Sequence, residues 1–123
     1  MKFILAVGIG SFIGGILRYF ISIYIQSKHF SAFPYGTLIV NVAGCFLIGI
    51  IFGFSERSDI ATGWKLFLVT GILGGFTTFS SFSNETVALF RTGQSALAMY
   101  YIASSVLIGL AATFAGIYFI KLL

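Results

Sequence analysis

A ten-residue segment in the second half of the chain carries the side chains best suited to binding an ion. This segment, Gly74 to Ser83, reads GGFTTFSSFS and combines five hydroxyl groups with three phenylalanines. Hydroxyl groups donate hydrogen bonds, and the edge of an aromatic ring carries positive potential, so both suit an anion. Phenylalanines at a spacing of three also occur in ordinary helix packing. Because the segment interrupts a membrane-length apolar stretch with polar groups, we interpret it as a site.

Two further polar residues lie within apolar stretches. Asn41 shares one helical face with Thr37 and Gly44 in GTLIVNVAGCFLIG, and its carboxamide can either bond a neighbouring helix or donate to a passing anion. Glu85 follows the hydroxyl-rich segment and is the only acid within an apolar stretch, which makes it a functional candidate. The alternative role for Glu85 is a partner for Arg91 or for a helix end.

Small residues and one arginine complete the set of candidates. Arg18 lies in the last third of the first apolar stretch, where it can anchor the helix at the lipid headgroups or lend positive potential to the path of an anion. The pair Gly10 and Gly14 predicts close helix contact. A ridge at spacing four in the last stretch favours helix contact over a polar lane for a solute; its members are Ser105, Gly109 and Thr113.

The composition predicts which elements position these residues. The chain has 123 residues, of which 59% are hydrophobic and 8% charged, and its mean hydropathy is +1.06, values typical of an integral membrane protein. A span needs about 20 apolar residues. We therefore predict an all-α membrane protein with a single four-helix transmembrane domain over residues 1–123, whose spans are Phe3–Ile25, Thr37–Phe54, Trp64–Leu89 and Leu97–Ile120.

The third span is predicted to be a broken helix. Helix propensity is lowest around Gly71, Gly74 and Gly75, just before the hydroxyl groups, and we place the break over Gly74–Thr77. Unwinding there would leave backbone carbonyl groups without partners, which is acceptable in a membrane if they bind a cation or line a polar cavity.

The basic residues are nearly balanced between the two sides of the predicted bundle. Cytoplasmic loops normally carry the excess of Lys and Arg, but four spans place Lys2, Arg57, Lys65 and Lys121 on one side and Arg18, Lys28 and Arg91 on the other. We therefore hypothesise dual topology, in which an upright and an inverted copy form an antiparallel homodimer. The same scattering of basic residues indicates membrane lipid as a partner and excludes nucleic acid.

No pattern of residues indicates an enzyme. The chain has no histidine beside a nucleophile, no paired carboxylates, no metal-ligand spacing and no phosphate loop. Cys45 is the only cysteine, so a disulfide within one subunit is impossible. Catalysis is therefore not expected.

The motifs, taken together, resemble a known family. GSFIGGILRY, GTLIVNVAGCF and GILGGFTTFSSFSNE occur in this order, and over essentially its whole length the chain resembles the Fluc (CrcB) fluoride channels. The resemblance implies a passive, fluoride-selective channel of the cell inner (plasma) membrane that exports cytoplasmic fluoride through two pores of an antiparallel homodimer. It also implies a structural sodium ion at the dimer centre.

The resemblance assigns roles to particular positions. It implies that Asn41 donates an amide hydrogen bond to fluoride and that Phe79 and Phe82 present ring edges along the pores. Gly74 and Thr77 would bind the sodium ion through their backbone carbonyls. The remaining implied positions are Arg18 at the pore vestibule and, as further pore residues, Thr37, Ser80, Ser81, Glu85 and Thr113.

Two other functions compete with a channel. A small multidrug-resistance-type exporter also has four spans and exchanges protons for cations with a buried acid, but its acid is expected in the first span, where this chain has none. A non-transporting assembly subunit would use the glycines only for packing, and the hydroxyl and phenylalanine cluster would then have no role.

Overall fold

The chain folds as a bundle of four membrane-length helices. The computed structural model describes residues 1–123, and its elements are α1 (Lys2–Ser27), α2 (Tyr35–Ser55), α3 (Thr62–Lys65), a π-helical segment (Leu66–Leu73), α4 (Gly74–Phe76), α5 (Phe79–Arg91) and α6 (Ser95–Leu122). Four helices are long and apolar enough to cross a membrane: Lys2–Ser27, Tyr35–Ser55, Thr62–Arg91 and Ser95–Leu122. The four predicted spans are confirmed, and each is longer than predicted by one or two residues at either end. The chain is a multi-pass membrane protein.

Glycines bring α1 into backbone contact with the third span, Thr62–Arg91. A Cβ atom added to Gly14 would overlap the carbonyl of Ile72, and one added to Gly71 would lie 2.9 Å from the Cα of Gly10. Such close approach is how helices associate in lipid, where apolar side chains gain little by leaving the solvent. The contact predicted for Gly10 and Gly14 is therefore confirmed, and it holds the π-helical segment against α1.

Helices α2 and α6 form the most extensive helix contact of the bundle. Here too the backbones touch at glycines, because a Cβ atom on Gly49 would overlap the carbonyl of Thr113 and one on Gly116 would overlap the carbonyl of Phe46. The bundle thus contains two extensive glycine-joined pairs, α1 with the third span and α2 with α6, and Gly36 adds a backbone contact between α1 and α2 at the Ser22 carbonyl. The space between the pairs is where the candidate site lies.

The third span is broken, as predicted, but later than the glycines indicate. Gly74 has helical torsion angles (φ −62°, ψ −37°), whereas Thr77 and Thr78 are extended, with ψ angles of 156° and 119°. The break predicted over Gly74–Thr77 is therefore found at Thr77, while Gly74 to Phe76 stay helical. Gly71 and Gly75 serve contact with α1 instead, since a Cβ atom on Gly75 would meet the carbonyl of Ser11 at 2.5 Å.

Candidate ion site at the helix break

The break is held open by Asn41 of α2. The Nδ2 amide of Asn41 donates to the Thr78 carbonyl at 3.0 Å, and the Thr78 amide donates to Asn41 Oδ1 at 2.8 Å. This paired contact satisfies both backbone groups of Thr78 outside a helix, so Thr78 itself is left with no unpaired backbone group. A carboxamide has two amide hydrogens, and the second remains free to donate. The two roles open to Asn41 are therefore compatible.

The break also releases two carbonyl groups. In an uninterrupted α-helix the Gly74 carbonyl would accept from the Thr78 amide and the Thr77 carbonyl from the Ser81 amide. The Thr78 amide instead donates to Asn41, and the Ser81 amide donates to Thr78 Oγ1 at 3.1 Å. Gly74 and Thr77, the two residues predicted to bind a cation, are therefore among those whose carbonyls lose their helical partners.

Arg18 reaches the same break from α1. Its Nε donates to the Gly75 carbonyl at 3.0 Å, and its side chain is partly buried. A cation beside the last carbonyls of α4 is favourable because these groups carry partial negative charge at a helix C-terminus. Arg18 is thus more than an interfacial anchor: it bonds the backbone at the break and keeps four guanidinium N–H donors for other partners.

An open cavity of about 440 Å³ lies between α2, α6 and the third span, and we call it the central cavity. Of the predicted site residues, it is lined by Asn41, Gly74, Thr77, Phe79, Phe82 and Ser105. The other predicted positions lie outside its lining. Both the free amide of Asn41 and the released carbonyls therefore border one space, which is flanked by aromatic rings.

The three phenylalanines of the segment separate into two environments. Phe76, before the break, is buried and lies beside Gly44 of α2. Phe79, after the break, is 79% exposed, and its ring centroid lies 5.5 Å from that of Phe82. Phe76 therefore packs against α2, whereas Phe79 and Phe82 line the central cavity.

Glu85 accepts two hydrogen bonds from side chains on other helices. The Thr37 hydroxyl donates to its Oε1 at 2.7 Å, and the Tyr101 hydroxyl donates to its Oε2 at 2.8 Å. Arg91 is not its partner. The carboxyl group therefore joins α2, α5 and α6 at one point inside the bundle.

Tyr101 is the residue that sequence reasoning missed. It is fully buried, and its ring lies 5.0 Å from that of Phe82, between the central cavity and Glu85. The signal was present, because Tyr101 extends the ridge of Ser105 and Gly109 by one turn at the same spacing of four. A buried tyrosine also needs a partner for its hydroxyl, and Glu85 was the acid without one.

Three other predicted positions have their hydroxyl groups engaged in local bonds. Ser80 Oγ lies 3.1 Å from Thr78 Oγ1, which itself lies 3.3 Å from Ser81 Oγ, so both serines belong to the N-terminal cap of α5. Thr113 donates to the Cys45 carbonyl of α2 at 3.1 Å. Its position supports the helix contact expected of the α6 ridge.

A second cavity of about 300 Å³, which we call the side cavity, lies between α1, the start of α2 and Glu85. Its lining consists of Ser22, Ile23, Gln26, Ala32, Pro34, Gly36, Thr37 and Glu85. The Glu85 carboxyl group therefore borders a polar space on the far side of Tyr101 from the central cavity.

Comparison with known proteins places this arrangement in a family. A family model described as CrcB-like protein, Camphor Resistance, matches residues 5–117. The chain is 42% identical over 122 residues to the "Fluoride-specific ion channel FluC" of Flavobacterium psychrophilum, an alignment that covers 98% of each chain. The proteins of the same name from Rhizobium meliloti and Desulfotalea psychrophila are 42% and 44% identical, over 95% and 94% of this chain and 94% and 89% of theirs. With similarity at this level along nearly its whole length, the chain belongs to the CrcB-like family.

Proposed function

We propose that this protein is a passive, fluoride-selective channel that lets cytoplasmic fluoride leave the cell. The observation that carries the proposal is the helix break: Asn41 holds it, and a free amide hydrogen and two aromatic rings border the cavity beside it. The name shared by the full-length relatives, fluoride-specific ion channel, supplies the identity of the ion.

The central cavity offers a small anion neutral donors. Fluoride is strongly hydrated, and a pore must replace that hydration without holding the ion too tightly. The second amide hydrogen of Asn41 and the Ser105 hydroxyl provide donors, while the edges of Phe79 and Phe82 provide positive potential without a full charge. Fluoride would pass along this wall towards Tyr101. The roles of Thr37, Ser80, Ser81, Glu85 and Thr113 beside the ion rest on the resemblance alone.

Arg18 would raise the anion concentration near this wall. Its side chain is bonded to the Gly75 carbonyl through Nε, so the remaining N–H groups have a fixed position from which to attract an anion. The bond to a neutral carbonyl fixes the guanidinium without removing its charge, so it would attract an anion from a distance.

The working unit would be an antiparallel homodimer. The central cavity is open, and the released carbonyls of Gly74 and Thr77 border it together with the Asn41 amide. Polar backbone groups of this kind are not tolerated against lipid in the middle of a bilayer. A second copy seated over the cavity would cover them, and the near-balance of basic residues on the two sides suits an inverted partner. Each dimer would then contain two equivalent pores.

A structural sodium ion suits the dimer centre. Gly74 and Thr77 would hold it through their carbonyl oxygens, which lack helical partners because Asn41 and Thr78 take the corresponding amides. A hard cation prefers oxygen ligands, and two copies would contribute equivalent pairs. When bound, the ion would supply positive charge that neutralises four carbonyl dipoles.

Flux measurements test the function directly. Purified protein is reconstituted in liposomes loaded with potassium fluoride, and release is followed with a fluoride electrode after a potassium ionophore is added. We expect immediate passive efflux of fluoride and no chloride efflux under the same conditions. Absence of fluoride efflux, or efflux that needs a proton gradient as in a multidrug-type exporter, would refute the channel.

A further inference from the structure

The carboxamide of Gln26, in the last turn of α1, is fully engaged by the first connection between helices. Its Nε2 lies 3.2 Å from the carbonyl oxygens of both Ser31 and Phe33, and its Oε1 accepts from the Gly36 amide at 3.1 Å. One side chain therefore fixes the connection at three backbone points. A side chain that faced only solvent would not make three bonds to the backbone of one connection. We call this set of three bonds the clamp.

Each end of this clamp leads to Glu85. The Gly36 amide is bonded to Gln26, and the next residue, Thr37, donates to Glu85 Oε1. Phe33, whose carbonyl accepts from Gln26, packs its ring edge-on against Tyr101 with centroids 5.5 Å apart. Thr37 and Tyr101 are the two hydroxyl donors to Glu85. Gln26 therefore fixes the backbone next to Thr37 and the residue that packs against Tyr101.

The side cavity lies directly beneath this clamped connection. Gln26 and Ala32 border it at the loop side, while Thr37 and Glu85 border it inside the bundle. Its volume of about 300 Å³ exceeds many times the 15 Å³ or so that a single water needs, and its polar partners suit water. The cavity therefore offers a hydrated route from the loop side of the bundle to the carboxyl group.

We propose that the first connection, residues 28–34, forms the wall of a polar mouth through which the conducted ion passes between bulk water and the Glu85 end of the pore, and that Gln26 is the positioning residue that holds this wall. The proposal rests on the channel function proposed above. Ser22, Gln26 and Thr37 are the neutral polar residues of the lining. The Glu85 carboxyl group at its inner end already accepts hydrogen bonds from Thr37 and Tyr101.

Paired cysteines test whether the ion uses this mouth. Ala32 is exposed and lines the side cavity, whereas Phe30, in the same connection, is fully exposed and lines no part of it. Ala32→Cys and Phe30→Cys are each labelled to completion in detergent with the anionic reagent sulfonatoethyl methanethiosulfonate, then reconstituted for flux. The unsubstituted chain, which keeps Cys45, is treated in parallel.

We expect the adduct at position 32 to lower fluoride efflux at least tenfold and the adduct at position 30 to leave it within twofold. Equal flux for the two labelled variants would overturn the mouth. Failure of the channel function itself would be distinguishable, because fluoride efflux would then be absent from the unlabelled variants and from the unsubstituted chain.

A second variant tests the positioning role of Gln26. Gln26→Met keeps the length of the side chain but removes all three hydrogen bonds, and Ser27→Ala is the control at a neighbouring exposed residue. We expect Gln26→Met to lower flux about fivefold while the protein elutes at an unchanged position on a sizing column. In the double variant Gln26→Met with Ala32→Cys, the labelled protein should conduct within twofold of the unlabelled protein, because the wall is no longer held over the cavity. A label effect that stays tenfold in the Gln26→Met background would overturn the clamp.

Discussion

The two halves of the third span differ in how they are held. The half before the break, Thr62–Phe76, is apolar apart from its first turn and Thr70, and it touches α1 through backbone at Gly71 and Gly75. The half after it, Phe79–Arg91, touches α2 and α6 through side chains, with Glu85 bonded to both helices and Phe82 stacked near Tyr101. One half is fixed by close backbone packing and the other by hydrogen bonds and rings.

This difference suits two tasks. Backbone contact leaves no space between helices, so the first half can serve as a rigid support. Contact through side chains leaves donors and ring edges beside the central cavity, where an ion can reach them. The extended residues Thr77 and Thr78 form the joint between the two halves. Asn41 holds this joint by bonding Thr78.

The largest effect is expected from disturbing the rigid half. Gly14→Ala places a methyl group against the carbonyl of Ile72, a backbone atom that cannot rotate away, and such overpacking costs about 3 kcal/mol. Gly15→Ala is the matched control, because nothing lies within 4 Å of its added Cβ and alanine is the better helix former. Thermal unfolding in detergent measures both. A Gly14→Ala midpoint equal to that of Gly15→Ala would show that the backbone contact is not a constraint.

A smaller effect is expected at the joint. Asn41→Asp keeps an acceptor for the Thr78 amide but loses the donor to the Thr78 carbonyl, and a partly buried acceptor without a partner costs about 2 kcal/mol. We expect fluoride efflux to fall roughly thirtyfold, equal to about 2 kcal/mol in the barrier to conduction, because the variant also lacks an amide hydrogen for the anion, while the protein stays folded. Asn84→Asp introduces the same change at an exposed position of α5 and should leave efflux unchanged. Equal losses in the two variants would assign the effect to charge alone.

Much of this arrangement could be predicted from the sequence because long apolar runs identify membrane spans. The four spans and the family follow from long apolar runs and three motifs, and both predictions are confirmed. The existence of a break was also predictable, because polar groups in the middle of a span must be bonded by other groups or by an ion. Its start was placed at Gly74, whereas the first extended residue is Thr77. Gly71, Gly74 and Gly75 lower helix propensity in isolation, yet all three are helical, and α1 packs against Gly71 and Gly75.

The rest depended on contacts between distant helices. No local pattern indicates that Thr78 is bonded by Asn41, 37 residues earlier, or that Glu85 takes Tyr101 as a partner in preference to the nearby Arg91. The role of Gln26 was hidden for the same reason, because a glutamine at a helix end is usually a solvated residue. Such pairings follow from which faces the glycines bring together, and single-helix periodicity does not contain that information.

The smallest effect is expected from the half with side-chain contacts, where one ring can change while the support persists. Phe82→Ile keeps an apolar residue beside Tyr101 but removes the ring edge that borders the central cavity. We expect fluoride efflux to fall about tenfold, equal to about 1.4 kcal/mol, with an unchanged unfolding midpoint. Phe90→Ile, in the same helix and away from the cavity lining, is the control and should conduct normally. If Phe82→Ile instead lowers the unfolding midpoint as Gly14→Ala does, the ring belongs to the support, and the two halves of the span do not have separate tasks.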